Sequence, residues 1–190
     1  MNRTIHPQAV PGEPRAVRWV TDVDLPVGQV VAAPGTLGPL MEYGVLSQVM
    51  VERAGVWTWL SEGHTWTEHG PRIRDAVTAA LELEGWEITE GSEELLRLLA
   101  CEVLEGEMAS YVASHGGHIT VDSATPSTLT LDFGGACEDC PAAGATLHDR
   151  IEKSVRERYP ILDKVERVGG EHQGRLSGWL GLPVPGRGRS

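Results

Sequence analysis

The sequence predicts an α+β fold built from two small α/β layer domains, and three observations carry that expectation. Short β-prone runs alternate along the chain with apolar residues at helical spacing. A stretch from Gly85 to Gly91 interrupts the helical pattern near the middle. Beyond it the periodicities run helix, strand, strand, helix, strand, as expected of a sheet with helices packed on one face. The predicted division is a first domain over residues 5–84, a linker over 85–91, a second domain over 92–169 and a disordered tail over 170–190.

In the first domain, Ala16-Val17-Arg18-Trp19-Val20 and Gly28-Gln29-Val30-Val31 read as strands. Pro39 to Met50 carries Leu40, Met41, Val45 and Val49 at helical spacing and reads as a helix. Val56 to Leu60 and Thr65 to Thr67 flank Ser61-Glu62-Gly63-His64, which reads as a hairpin turn. Pro71 suits the first position of a helix bearing Ile73, Val77, Ala80 and Leu81. Trp57, Trp59 and Trp66 read as core or half-buried packing before they read as a partner-binding face.

In the second domain, Ser92 is a good N-cap, and Glu93 and Glu94 suit the positive end of the helix dipole. Leu95, Leu99, Val103, Leu104, Met108 and Val112 supply an apolar face as far as Gly116-Gly117. Two alternating segments follow, one with Ile119 and Val121, the other with Leu129, Leu131 and Phe133; Ala124-Thr125-Pro126-Ser127 turns between them. Leu147, Ile151, Val155 and Tyr159, spaced four apart, mark a last helix that Pro160 stops, and Lys164 to Val168 reads as a closing strand. The Gly/Pro-rich tail contains the isolated Leu176, Trp179 and Leu180.

Composition narrows the function classes. Of 190 residues, 41% are hydrophobic and 23% charged, ordinary for a globular chain. A formal net charge of −11 repels phosphate backbones, so no nucleic acid is expected as a partner. No apolar run approaches the roughly 18 residues of a membrane span, and the start lacks the apolar stretch of a secretory signal. The expectation is a cytoplasmic protein with no membrane association.

Three cysteines, Cys101, Cys137 and Cys140, are too few for a secreted disulfide framework. Cys101 reads as a small buried hydrophobe. Cys137-Glu138-Asp139-Cys140 falls between a strand end and a helix start, where free N–H groups and the helix dipole favour the thiolate that binds metal. Pro141 fits the first helical position, and Gly134-Gly135 adds no side-chain bulk to the approach. On its own a CxxC pair fits three chemistries: an iron–sulfur cluster, thiol–disulfide exchange of the thioredoxin type, or a zinc module that His115 and His118 could complete. Against exchange stand the acidic Glu138 and Asp139 and the hairpin, rather than a βαβ unit, that precedes the motif. If the ligand is a [4Fe–4S] cluster, four thiolates are needed, and one chain offers only this pair; a symmetric dimer supplies the rest. His115, His118 and His148 read otherwise as solvated residues.

Residues 93–168 resemble the NifU-like C-terminal domain of Nfu-type iron–sulfur proteins. The matching pieces are Gly116-Gly117 with the Ile119/Val121 strand, Leu129 through Pro141, Thr146-Leu147, Ile151-Glu152 and Tyr159-Pro160. Residues 5–84 are similar to the Nfu N-terminal domain, through the proline-rich stretch before Arg18-Trp19-Val20, the Gly38-Pro39-Leu40 helix start and the Gly55-Val56 strand. The resemblance implies a non-enzymatic scaffold or carrier of a labile [4Fe–4S] or [2Fe–2S] cluster. It implies Cys137 and Cys140 as ligands at a homodimer interface, with upstream assembly proteins and apo iron–sulfur proteins as partners. The chain departs from the family's pattern at His115 and His118, at Glu138-Asp139 and at Ala142-Ala143.

Overall fold

The computed structural model describes residues 4–106, 108–114, 116–135 and 141–168, with side chains from 146 onward in the last segment. It is an α+β structure with two sheets.

The first sheet is antiparallel. Its strands are β1 (His6–Ala9), β2 (Ala16–Val20), β3 (Gly28–Ala32), β4 (Leu46–Glu52), β5 (Gly55–Leu60) and β6 (Glu87–Glu90), in the order β1-β2-β5-β4-β3-β6. Two helices, α1 (Leu37–Glu42) and α2 (Trp66–Ala80), cover one face. Side-chain alternation on β5 assigns the two faces. Val56 and Leu60 pack with Leu37, Leu40, Ile73, Val77 and Ala80 of the helices. Trp57 and Trp59 point the other way, stacked with ring centroids 6.0 Å apart.

Four sequence expectations change here. The expected Pro39–Met50 helix is only the short α1, followed by β4. Gly44 takes a left-handed φ of 69° and donates to the Met41 carbonyl while Val45 donates to that of Leu40, which closes the helix before Leu46. The Ser61–His64 turn does not join two strands: Thr65 is the N-cap of α2, its hydroxyl accepting from Glu68 N–H at 3.4 Å. Pro71 therefore lies inside α2 instead of opening it. The hairpin is β4–β5, turning at Arg53-Ala54. In the segment expected as a linker, Glu87–Glu90 is a strand that pairs with β3.

The second sheet has the order β7-β8-β9: β7 (Gly117–Ala124) antiparallel to β8 (Thr128–Gly135), and β9 (Lys164–Arg167) parallel to β8. Helix α3 (Glu93–Glu105) starts at the predicted cap, with Ser92 Oγ accepting from Leu95 N–H at 3.2 Å. It stops at Gly106, earlier than the apolar spacing suggests, and α4 (Ala109–Ser114) resumes the run. Met108 and Val112 still reach the core. Helix α5 (Pro141–Arg158) packs Leu147, Ile151 and Val155 on the sheet, and the buried Tyr159 follows it.

The two sheets share one core. Met50, Trp57 and Trp59 of the first sheet pack in a single apolar cluster with Leu95, Leu96, Leu99, Ile151 and Val155. The tryptophan face is thus taken up within the chain; Trp66 sits apart on α2, edge-on to Trp19 at 6.2 Å. At the seam Glu52 is fully buried. It accepts from Arg18 Nε at 2.6 Å, Trp57 Nε1 at 2.9 Å, and both Arg158 Nε and Nη2 at 2.6 Å. Arg158 Nη2 also donates to Glu102 at 2.8 Å. Burial works against the Arg158 charge, but hydrogen bonds and attraction from Glu52 and Glu102 outweigh it and hold the guanidinium above its usual range.

Candidate functional site

The β7–β8 ladder carries the site. Along β8, Leu129, Leu131 and Phe133 are buried, while Thr130, Asp132 and Gly134 take the other face. Along β7, Ile119 and Val121 pack toward the core, so His118 and Thr120 face outward. The last two pairs of the ladder are His118↔Gly134 and Gly117↔Gly135.

Both glycines of β8 are explained by local packing. The exposed His118 ring lies across Gly134, where a Cβ would overlap its Cε1 and Nε2. Gly135 has a left-handed φ of 64°, and a Cβ there would meet the Gly116 carbonyl oxygen at 2.7 Å. The hairpin itself requires glycine at 135, whereas at 134 a methyl group would only displace the exposed His118 ring.

Cys137, Cys140, Glu138 and Asp139 lie outside the described residues, as do His115 and the 170–190 tail. The described chain frames the cysteines: β8 ends at Gly135, and α5 begins at Pro141. The expected motif position, between a strand end and a helix start with proline at the first helical residue, agrees with these bounds.

The remaining candidates are placed directly. Cys101 is half-buried on α3; burial raises its thiol pKa, with Arg97 opposing and Glu105 adding to the rise. A neutral thiol is a poor metal ligand. His148 is not a free surface residue: its Nε2 lies 2.9 Å from the Val165 carbonyl oxygen, tying α5 to β9. Among the described residues no group of three or more His, Cys, Asp or Glu is arranged to hold a metal ion. No helix among them is long and apolar enough to cross a membrane.

Comparison with known proteins bears on this hairpin–helix unit. Residues 101–166 match the family model described as NifU-like domain. The chain is 37% identical over 75 residues to the Fe/S biogenesis protein NfuA of Yersinia enterocolitica (serotype O:8), covering 37% of this chain and 39% of that protein. The same identity and coverage relate it to the Fe/S biogenesis proteins NfuA of Yersinia pestis (strain Pestoides F) and Yersinia pseudotuberculosis (serotype O:1b). The matched region spans about 39% of the length of these curated relatives. Residues 101–166, the stretch that includes Cys137 and Cys140, are therefore similar to a NifU-like domain, and over 75 residues the chain is similar to the NfuA proteins.

Proposed function

We propose that this chain works in iron–sulfur cluster biogenesis as a carrier, not an enzyme. In this reading Cys137 and Cys140 hold a labile [4Fe–4S] cluster between two copies of the chain and release it to apo-proteins. The observation that carries the reading is the match of residues 101–166 to a NifU-like domain, with both thiols in the short connection between Gly135 and Pro141. The cluster is cargo, so a site that contributes two of four thiolates and is shared between chains suits its release.

The donor set favours this cargo. Two thiolates close to a helix start present soft, negatively charged sulfur, which suits iron in a cluster. A [2Fe–2S] cargo bound by the same cysteines is the finer alternative. Upstream assembly proteins are the proposed donors and apo iron–sulfur proteins the acceptors, in the cytoplasm and without nucleic acid or membrane.

The test is anaerobic reconstitution of the full chain with iron and sulfide. About four irons and four sulfides per dimer, with a Mössbauer spectrum of a [4Fe–4S] centre, are expected. The Cys137→Ala, Cys140→Ala double variant should remain colourless and monomeric. Equal uptake by that variant refutes the reading. Stoichiometric zinc with no iron taken up, or metal-free reduction of protein disulfides, would each replace it.

A further inference from the structure

We propose that His64 and His69 form a two-imidazole chelate for a divalent cation of the nickel(II) class at the start of α2. The proposal is independent of the carrier reading, because it concerns the first sheet's helix and uses neither Cys137 nor Cys140.

Local rules of helix initiation place the two rings. Thr65 is the N-cap of α2, and Glu68 is the acidic residue of its first turn. His64 and His69 therefore occupy the position before the cap and the fourth helical position. Those positions meet across a helix start and are commonly filled by an apolar pair. Here both are imidazoles. Both backbones are anchored: His64 N–H donates to the Ser61 carbonyl at 3.3 Å, and His69 N–H to that of Thr65 at 3.0 Å.

The rings meet nitrogen to nitrogen. His64 Nδ1 lies 2.9 Å from His69 Nε2, with the ring planes at 77°. Two neutral rings share one hydrogen bond in this way, one donating its N–H to the other's lone pair. The donating ring becomes a ligand by moving its proton to its other nitrogen, so a cation enters without net proton loss. At a metal–imidazole bond of about 2.0–2.1 Å, nitrogens 2.9 Å apart subtend roughly 90° at the ion. That is the angle between neighbouring positions of an octahedral or tetragonal centre, the geometry of nickel(II) and copper(II), whereas tetrahedral zinc needs a wider one.

The surroundings suit a cation. The His69 side chain is only 13% exposed and His64 is half-buried, so packing holds both rings. Glu68 Oε1, 3.6 Å from His69 Nε2, adds a carboxylate charge that offsets the positive end of the helix. Two protein ligands leave the remaining positions to water, which makes the site exchangeable. A bound ion would tie the turn after β5 to the first turn of α2.

The test is calorimetric titration of Ni²⁺ into the full-length Cys137→Ala, Cys140→Ala protein, in which those thiols cannot capture the probe. One Ni²⁺ per chain is expected, with a melting temperature that rises with its concentration. His64→Ala and His69→Ala should each weaken binding by at least about 10-fold; His6→Ala, at an exposed position on β1, should not. His64→Gln, which can still hydrogen-bond to His69 but gives up the imidazole, should melt as the parent does without metal and lose the ion as well. With ¹⁵N-histidine labelling, paramagnetic broadening should reach the ring nitrogens of His64 and His69 together. Unchanged affinity in the variants at 64 and 69, broadening at one ring only, or no Ni²⁺ bound overturns the proposal. Each of these outcomes leaves the carrier reading intact, since cluster uptake is read separately in the parent.

Discussion

Arg158 grips both carboxylate oxygens of Glu52 at 2.6 Å, across 106 residues of sequence. The pair joins the end of α5 to the end of β4, and the backbone adds a bond from Arg53 N–H to the Arg158 carbonyl at 3.2 Å. Removing Glu52 leaves Arg18 and Arg158 facing each other without their shared counter-ion. Glu52→Ala is expected to destabilise the chain by about 3–5 kcal/mol, measured by urea unfolding. A loss below about 1 kcal/mol would mean that water reaches this seam.

Tyr159 closes the other end of the seam. Its hydroxyl donates to the Pro126 carbonyl at 2.8 Å and accepts from Ser92 N–H at 2.8 Å. Burial raises its pKa, with the Ser92 backbone contact opposing. A raised pKa in the folded state favours the neutral phenol. Its contribution is therefore full below about pH 10, the ordinary tyrosine range, and declines as pH climbs through the folded value. Tyr159→Phe should lower stability by about 1–3 kcal/mol at neutral pH and flatten the alkaline part of the stability profile. An unchanged alkaline limb in that variant would refute the assignment.

Separating the halves should wet the tryptophans. A fragment ending at residue 91 lacks the α3 and α5 residues that cover Met50, Trp57 and Trp59. Its tryptophan emission is expected to shift to longer wavelength, and it should bind an apolar dye that the full chain excludes. Native-like emission and no dye binding would show that the first sheet closes over its own second face.

Gly135→Ala tests the corner before the cysteines. A left-handed φ disfavours any Cβ by about 1–2 kcal/mol, and the Gly116 carbonyl lies in the way at 2.7 Å. The variant should lose at least that much stability by denaturant melt and retain less cargo on reconstitution. Full retention would mean that the corner can reshape without disturbing the thiols.

Glu138→Gln with Asp139→Asn removes four carboxylates per dimer from the cargo's surroundings. Fewer negative neighbours should raise its reduction potential and slow its release, read by redox titration and by transfer to an apo acceptor. An unmoved potential would show that solvent screens both side chains.

Sequence reasoning reached the second domain more completely than the first, for a physical reason. β7 and β8 each have one face toward the core, so apolar and polar residues alternate and the period is visible. β4 is buried on both faces through Val49, Met50 and Val51, which erases the alternation and let Leu40, Met41, Val45 and Val49 mimic a helix. β1 is exposed at all four residues and β6 at three of four, so neither carries an apolar signature. Thr65 and Glu68 form a readable N-terminal signal for α2, which Pro71, also suited to a helix start, obscures.

At the site, the two cysteines were legible because their spacing is local. The place of His118 was not, because it depends on which residue of β8 stands opposite, and only the register supplies that. The Glu52 cluster was hidden for the same reason: its members come from residues 18, 52, 57, 102 and 158.

All six residues of β5 are buried, beneath α1 and α2 on one side and α3 and α5 on the other. A strand with no dry side to spare makes the two halves a single melting unit. Calorimetry of the chain should then give one endotherm whose van't Hoff and calorimetric enthalpies coincide. Two modules in the sequence answer heat as one.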